Sequence, residues 1–244
     1  MRILVIPDIH LKPWIFDSAD RVIADERPDE IVVLGDLLDD FGCEDKPERY
    51  TETLNRAGAF MATHPYSYWC IGNHEIPYVS SCCTVSGTSL LFRDQIAHDL
   101  LALSYGAPIT VKVKCAFLLD GWIFTHAGLA EDFVQRRIVP RANSTALSDA
   151  EVVDIANDLT TDALWEADSP LWYRPNTGAP LYGEGRIHQC AGHTPSKRIL
   201  EYGNLVVCDT FSTYRDGVPI GDQTLCLIDT ADNTWRAIPA IIDK

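Results

Sequence analysis

Residues 3–10 read Ile-Leu-Val-Ile-Pro-Asp-Ile-His, an apolar run of strand character that ends in an aspartate and a histidine. Two later runs end in a similar way, at residues 31–36 with Gly-Asp and at residues 68–75 with Gly-Asn-His-Glu. A fourth run ends in Thr-His-Ala-Gly at residues 122–128, and Gly-His-Thr stands at 192–194. A strand that ends in a carboxylate, imidazole or amide delivers that group to the crevice at the carboxyl end of an open α/β sheet. The sequence therefore predicts one site, assembled from segments far apart in the chain.

The order of these segments is more informative than any one of them. Asp8-Ile9-His10 alone is typical of a turn after a strand, and Gly35-Asp36 is less specific still. Gly72-Asn73-His74-Glu75 is sharper, because a glycine turn sets three side chains with metal-binding or proton-transfer capacity in a row. All the segments together, in this order, favour a functional site over coincidence.

Apolar residues at helical spacing separate the first three predicted strands. They predict amphipathic helices around residues 15–23 and 54–61. The opening is therefore β-α-β-α-β, which predicts neighbouring, mostly parallel strands with right-handed crossovers.

The later part of the chain predicts shorter elements. A polar loop near the mouth of the site is predicted over residues 79–89, and a third helix over 92–103. Runs at 109–119 and 122–125 around the Asp120-Gly121 turn signal predict a hairpin. Further elements are a helix behind the capping box Ser148-Asp149-Ala150-Glu151 and short strands at 187–191, 204–208 and 224–230.

Length and charge limit the classes of function. The site segments span most of the 244 residues and must meet at one centre, so we expect a single domain over residues 1–244. The formal net charge of −15 disfavours nucleic acid as a partner, since binding a phosphate backbone needs clustered Lys and Arg. No apolar run approaches the ~18 residues needed to span a bilayer, so no membrane partner is expected.

The cysteines and the amino-terminal segment predict a compartment. Eight cysteines without a C-x-x-C pattern, mostly inside apolar runs, predict buried free thiols in a reducing cytosol. Cleavage of a signal peptide would remove the first site segment, so none is expected. We therefore predict a cytoplasmic protein.

The motif order Asp-x-His, Gly-Asp-x-x-Asp, Gly-Asn-His-Glu, His-Ala-Gly-Leu, Gly-His-Thr resembles that of the calcineurin-like metallophosphoesterases. It is most similar to the phosphoprotein-phosphatase branch, which includes bacterial Ser/Thr phosphatases and symmetrical diadenosine tetraphosphatases. Pro195 stands where a Gly-His-x-His variant, typical of the nuclease and phosphodiesterase branches, has another histidine. The resemblance runs from Asp8 to Thr194 and is specific for the superfamily, but much less so for substrate. It implies an α/β fold with a two-sheet β-sandwich core flanked by helices.

The resemblance also implies two divalent metal ions, with Mn as the first choice and Fe or Zn as alternatives. Mixed nitrogen and oxygen ligands without thiolate suit these metals. Two such ions about 3.5–4 Å apart hold a phosphate and lower the pKa of a bridging water, and the resulting hydroxide attacks phosphorus in line. The implied ligands are Asp8, His10 and Asp36 for one ion, and Asp36, Asn73, His126 and His193 for the other, with Asp36 bridging.

Protonation of the leaving oxygen is implied for one further histidine. In the family, the histidine at the position of His74 is the general acid, paired with the second aspartate of Gly-Asp-x-x-Asp, here Asp39. A carboxylate beside an imidazole favours the protonated form that an acid needs. The alternative is that His74 only braces the loop of Asn73.

One position departs from the family pattern. Phosphoprotein phosphatases follow Gly-Asp-x-x-Asp with an arginine that grips phosphate, whereas this chain has Asp40 there. A second phosphate-gripping arginine of the family lies in a segment that residues 169–175 resemble, so Arg174 is the candidate, with a surface or structural arginine as the alternative. An aspartate at position 40 would repel a phosphate dianion, and leaves room for a diester or nucleotide substrate.

Three functions follow from these observations. The first is a dinuclear phosphoesterase of the Ser/Thr-phosphatase type, which hydrolyses phosphomonoesters on a phosphorylated protein or a small ester. The second is a hydrolase of dinucleoside polyphosphates or phosphodiesters. The third is a metal-free scaffold, which filled ligand positions disfavour. Substrate, native metal and oligomeric state stay open.

Overall fold

Two β-sheets form the centre of the molecule, in a computed structural model that describes residues 1–80, 83–142 and 146–241. The first sheet has, in spatial order, β11 (Thr234–Pro239), β10 (Thr224–Asp229), β1 (Arg2–Ile6), β2 (Glu30–Val33), β3 (Tyr68–Cys70) and β4 (Lys112–Lys114). The second has β5 (Ala116–Leu119), β6 (Trp122–Thr125), β7 (His188–Ala191), β9 (Leu205–Val207) and β8 (Leu200–Tyr202).

Helices flank these sheets, so the predicted α/β fold with a two-sheet core is confirmed. The helices are α1 (Trp14–Glu26), α2 (Pro47–Thr63), α3 (Ile76–Val79), α4 (Arg93–Gly106), α5 (Glu131–Phe133), α6 (Asp149–Asn157) and α7 (Thr161–Leu164). A π-helical turn (Val134–Ile138) and two 3₁₀ turns (Val139–Arg141, Pro175–Thr177) complete the regular elements of the described residues. None of the described helices is long and apolar enough to cross a membrane.

The alternation of side chains along β1 explains the unbroken apolar run in the sequence. Leu4 and Ile6 belong to the apolar cluster that contains Phe16 of α1 and side chains of α2. Ile3 and Val5 belong to another cluster, which includes Trp122 of the second sheet. Because successive side chains of a strand point to opposite faces, β1 is buried on both.

The predicted parallel opening is confirmed, because β1, β2 and β3 pair in parallel. Proline at the first position of α2 has no backbone N–H to leave unsatisfied, and α1 ends where Arg27 adopts a left-handed φ of 48°. The predicted capping box also forms: Ser148 accepts the Glu151 backbone N–H, and the Glu151 side chain accepts that of Ser148. These local signals therefore define the ends of three helices.

The single strand predicted over residues 109–119 is wrong, since the segment forms two strands in different sheets. β4 runs parallel to β3 at one edge of the first sheet, whereas β5 pairs antiparallel with β6. The chain crosses between the sheets at Cys115, where Asn157 Oδ1 accepts the backbone N–H groups of Cys115 and Ala116. Periodicity cannot reveal this crossing, because the stabilising amide comes from a distant helix.

Other predictions have mixed outcomes. β8 and β11 are not predicted, because their side chains are mostly exposed or half-buried and carry little apolar pattern. Cys43, Cys70, Cys115, Cys190, Cys208 and Cys226 carry free thiols, and all but Cys43 are buried; Cys82 lies outside the described residues. Residues 81 and 82 of the predicted polar loop also lie outside them, but Val85 and Ser86 line the cavity of the candidate site.

Candidate metal centre and catalytic site

Sharp turns at the strand ends bring the predicted site residues together. His10, Asp36 and His193 have left-handed φ angles of 44°, 48° and 61°, which non-glycine residues rarely adopt. The turns also approach closely, since a Cβ on Gly72 would lie 2.1 Å from Asp36 Oδ1. Such conformations persist only where surrounding contacts hold them, and they are typical of functional sites.

Asp36, Asn73, His126 and His193 form a close polar cluster. Asn73 Oδ1 lies 2.8 Å from His126 Nε2 and 2.9 Å from His193 Nδ1, and these two nitrogens are 3.2 Å apart. Asp36 Oδ2 lies 3.3 Å from His126 Nε2. His126 Nδ1 donates to the Leu34 carbonyl oxygen at 2.8 Å, so Nε2 of the neutral ring is an acceptor. Several acceptor atoms therefore lie close enough together to bind one cation between them.

Asp8, His10 and Asp36 form an adjoining group. His10 Nε2 lies 3.6 Å from Asp36 Oδ2 and 4.0 Å from Asp8 Oδ2. His10 Nδ1 donates to the Asp39 carbonyl oxygen at 2.8 Å, which leaves a lone pair on Nε2 of the neutral ring. The buried Asp8 Oδ1 has no hydrogen-bond partner among the residues that the structure describes. Asp36 is the member that both groups share.

The electrostatics of the cluster favour positive charge among its side chains. Burial raises the pKa of Asp8 well above its usual range, and the neighbouring Asp209 raises it further. Burial disfavours the charged form of His126, but Asp36 outweighs this effect and raises the pKa of His126 to about 10. Burial and the neighbouring His126 hold the pKa of His193 well below its usual range. Divalent cations would offset the carboxylates and keep the imidazoles neutral as ligands.

These donor sets fit two divalent ions. Each group offers carboxylate oxygen and imidazole nitrogen, and the second adds an amide oxygen, a mixture that suits Mn, Fe or Zn. The imidazoles of His10 and His126 are oriented by backbone carbonyl oxygens, as is usual for metal-binding histidines. The unpartnered oxygen of Asp8 is a further atom that an ion would satisfy.

His74 and Asp39, which are predicted to act as an acid pair, are in contact. His74 Nδ1 lies 3.1 Å from Asp39 Oδ2, so its Nε2 is left to face the metal groups. Tyr50 and Tyr78 donate to the other carboxylate oxygen, Asp39 Oδ1, at 3.0 and 2.5 Å. His74 also comes within 4.8 Å of ligand atoms of His10 and Asp36. Its Nε2 can thus serve either a leaving group or a metal ion.

Glu75, the last residue of Gly-Asn-His-Glu, joins two of the site loops. Its buried carboxylate accepts the backbone N–H groups of Asp36 at 3.0 Å and Leu37 at 2.7 Å, with Leu38 at 3.3 Å. It also accepts the N–H of Gly72 at 2.7 Å, from the loop that carries Asn73. One side chain therefore sets the spacing between the shared aspartate and the amide.

A cavity of about 310 Å³ opens above these groups. Arg174 lines it and donates to the His193 carbonyl oxygen at 3.1 Å. Asp40 also lines it, and its carboxylate accepts from Lys12 Nζ and Thr213 Oγ1, each at 2.8 Å. Arg174 and Asp40, the two positions that the sequence relates to phosphate binding, thus line the same cavity as the metal groups.

Some site residues were missed by the sequence analysis. Asp209 is buried beside Asp8 and accepts from the backbone N–H and hydroxyl of Ser212. It follows the predicted strand 204–208, so the rule that found the other carboxylates applies to it equally. Tyr50 and Tyr78 carry no such signal, because they reach Asp39 from helices whose placement is tertiary.

Comparisons with known proteins agree with this fold and site. The family described as calcineurin-like phosphoesterase matches residues 1–220. No curated protein matches the sequence.

Two similar solved structures cover the whole of this chain. A Saccharomyces cerevisiae protein serine/threonine phosphatase with similarity to human phosphatase PP5 is 12% identical, has 81% of its own chain covered and gives a TM-score of 0.53. A hypothetical protein from Pyrococcus horikoshii OT3 is 13% identical, has 89% of its chain covered and gives a TM-score of 0.53. At these identities the likeness concerns the fold.

Proposed function

The chain belongs to the calcineurin-like phosphoesterase family, and we propose that it is a metal-dependent phosphoric ester hydrolase with the catalytic residues of a Ser/Thr-type phosphatase. One observation carries the proposal. Acceptor atoms of Asp36, Asn73, His126 and His193 converge within about the span of a metal coordination shell, beside an acid-base pair. This combination supplies what phosphoester hydrolysis needs: cations for the phosphate and a proton for the leaving oxygen.

The metal ligands in this proposal are the residues of the two groups. Two bound divalent ions, Mn in the first place and Fe or Zn otherwise, supply Lewis-acid stabilisation of the phosphate oxygens and a water of lowered pKa. The ligands are Asp8, His10 and Asp36 in one group, and Asp36, Asn73, His126 and His193 in the other.

The chain's own residues perform the remaining tasks. His74 holds a proton on Nε2 for the leaving oxygen, and Asp39 orients the ring through Nδ1. Tyr50 and Tyr78 fix the Asp39 carboxylate, so the ring has one preferred direction. The Arg174 guanidinium lies on the cavity wall, where it can neutralise part of the phosphate charge.

Two substrate classes are candidates. Phosphomonoesters, on a phosphorylated protein or a small molecule, are favoured by the Ser/Thr-phosphatase machinery and by Arg174. Phosphodiesters or dinucleoside polyphosphates are favoured by one specific observation, the carboxylate of Asp40 on the cavity wall.

We also propose one domain over residues 1–244 and a cytoplasmic location. Asp8 and His193 are 185 positions apart in sequence, yet the His193 backbone N–H donates to Asp8 Oδ2 at 2.8 Å. The buried free thiols of Cys70, Cys115, Cys190, Cys208 and Cys226 agree with a reducing compartment.

The test combines metal content with hydrolysis. The protein is stripped with a chelator, reloaded separately with Mn²⁺, Fe²⁺ or Zn²⁺, and assayed on a phosphopeptide, 4-nitrophenyl phosphate, bis(4-nitrophenyl) phosphate and diadenosine tetraphosphate. We expect two ions per chain and hydrolysis that depends on them. A protein that binds no ion and hydrolyses none of these substrates would be the metal-free scaffold.

A further inference from the structure

The Asp40 carboxylate is held in a fixed position on the cavity wall. It accepts from Lys12 Nζ at 2.8 Å, from Thr213 Oγ1 at 2.8 Å and from the Phe41 backbone N–H at 3.0 Å. Burial alone would raise the pKa of Asp40, but Lys12 and Thr213 outweigh it and lower that pKa overall. The carboxylate is therefore ionised when a substrate enters.

Lys12 lies behind Asp40 and does not line the cavity of the metal groups. Asp40 is shared by that cavity and by a neighbouring one of about 500 Å³, whereas Lys12 lines only the neighbouring one. The side chains of Lys12 and Asp40 are only 11% and 19% exposed, so water and salt screen them weakly. A substrate therefore meets the negative end of this ion pair first.

The fixed charges around the cavity are unevenly distributed. Among the described residues, Arg174 is the one lysine or arginine side chain that lines it. Asp36 belongs to both candidate metal groups and Asp39 contacts His74, whereas among the described residues Lys12 is the cation that contacts Asp40, on its far side. The site thus has one protein cation for the phosphate and one carboxylate opposing it.

We infer that the Asp40–Lys12 pair determines the substrate class of this site, favouring a phosphorus that carries one negative charge, as in a phosphodiester, over a monoester dianion. The inference rests on the proposed hydrolytic function and chooses between its two substrate classes. Coulomb repulsion grows with the charge on the substrate, so Asp40 opposes a dianion about twice as strongly as a monoanion. Lys12 reduces this repulsion without reversing it.

Removing either member of the pair should shift selectivity in opposite directions. Asp40→Asn keeps the shape and leaves Lys12 uncompensated, so the monoester should gain more than the diester. Lys12→Met leaves Asp40 uncompensated, so the monoester should lose more. The double variant should give a ratio above that of wild type but below that of Asp40→Asn, because the net repulsion of the pair is gone and no uncompensated Lys12 remains to attract the dianion.

The experiment measures kcat/KM for 4-nitrophenyl phosphate and bis(4-nitrophenyl) phosphate at pH 8, where the monoester is a dianion because its second pKa is about 6. Both esters release the same phenolate, so differences in leaving-group protonation are small. We expect the monoester-to-diester ratio to rise about three- to tenfold in Asp40→Asn and to fall by a similar factor in Lys12→Met. Both shifts should shrink at high salt.

A binding measurement gives a readout apart from turnover. In calorimetry on the metal-loaded protein, inorganic phosphate should bind more tightly to Asp40→Asn than to wild type, while dimethyl phosphate should change less. Lys12 also donates to the His10 carbonyl oxygen, so the metal content of each variant is measured first. Loss of metal would lower kcat/KM for both esters by a similar factor and leave their ratio unchanged.

Asp149→Asn and Arg186→Met are matched controls, because they remove the same two charges from an ion pair that does not line the cavity. They should leave the ratio within about twofold. Shifts of the same sign in Asp40→Asn and Lys12→Met, or equal changes on both esters, would overturn the inference while the proposed function stands. If the metal-loaded wild type hydrolyses neither ester nor the other substrates, the proposed function falls and the inference with it.

Discussion

Two cavities of this molecule differ in size and in the kind of side chain that lines them. The cavity above the metal groups has a volume of about 310 Å³, whereas a groove beside α4, α6 and α7 reaches about 800 Å³. The larger groove is lined mainly by apolar side chains, including Leu100, Leu101, Leu103, Val113 and Leu159. Within the described residues, the groups able to hold a metal belong to the smaller cavity.

The convergence of polar atoms in a cavity therefore indicates the functional site better than the volume of the cavity does. In the smaller cavity, acceptor atoms from four strand ends lie within about a hydrogen-bond length of one another. A bound cation would satisfy these atoms together, which gives the arrangement a chemical reason to persist. The groove does not by itself indicate a ligand, because apolar side chains often line a protein surface where nothing binds.

Glu75 belongs to both regions. It lines the groove, while its carboxylate accepts the N–H groups that hold the loops of Asp36 and Asn73. Burial and the neighbouring Asp36 raise the pKa of Glu75 to about 7, and the N–H of Gly72 opposes that rise. Substitutions in the cavity, in the groove and at Glu75 test whether the groove affects the function of the site.

Asp36→Asn should have the largest effect. The amide keeps the shape but removes the negative charge that both metal groups share, so we expect loss of at least one ion and of measurable hydrolysis. The checks are metal analysis, assay with each ester and circular dichroism, which should report an intact fold. Two ions bound as tightly as in wild type would contradict the bridging role.

His74→Asn should have the next largest effect, on chemistry more than on metal binding. We expect kcat to fall by roughly 10²–10⁴ for an alkyl ester, and much less for nitrophenyl esters, whose leaving group needs little protonation. Metal content should stay near two ions per chain. Loss of an ion would instead make His74 a ligand, and an equal loss for both leaving groups would remove it from the acid role.

The pH dependence of kcat in wild type is a second test of His74 as the acid. Burial would lower the pKa of His74, but Asp36 and Asp39 outweigh it and raise that pKa above the usual value. Bound metal ions offset Asp36, while the Asp39 contact remains. An acid must be protonated, so kcat for an alkyl ester should fall as pH rises through the pKa of His74. This limb should be absent from the profile of His74→Asn.

Glu75→Gln should have an intermediate effect, although the residue does not touch the cavity. The amide cannot accept all the N–H groups that the carboxylate accepts, so the loops of Asp36 and Asn73 should lose their spacing. We expect activity to fall about 10–100-fold together with weaker metal binding in calorimetric titration. Ile76→Val changes the same groove and is the control; a similar loss in that variant would make the effect one of packing.

Leu101→Glu should have the smallest effect. Leu101 is 51% exposed in the groove and does not line the cavity of the metal groups, so activity should stay within about twofold and the melting temperature should change little. Steady-state kinetics and thermal unfolding check this. A large loss of activity would mean that the groove and the site are coupled.

The sequence by itself was sufficient for the fold class and for most of the candidate site. Both depend on local patterns: apolar runs of strand length, helical stripes between them, and polar side chains directly behind the strand ends. Parallel strands joined by helices align those ends at one edge, so Asp8, Asp36 and Asn73 could be expected together. The family resemblance added the histidines of the second half.

Only the tertiary structure decided contacts between segments without a shared local pattern. The crossing at Cys115 depends on the amide of Asn157, and the orientation of Asp39 depends on Tyr50 and Tyr78. Each of these contacts joins side chains whose spacing in sequence has no period, so no local rule could indicate them.

Position 40 shows the same division most clearly. The sequence determined that an aspartate stands where the family has an arginine, and it predicted repulsion of a dianion. That Lys12 compensates this charge from behind, and that Thr213 holds it from a loop 173 positions away, depends on the packing of three separate loops. A charge can be read from one residue, but its electrostatic effect depends on every charge and dipole that the fold brings near it.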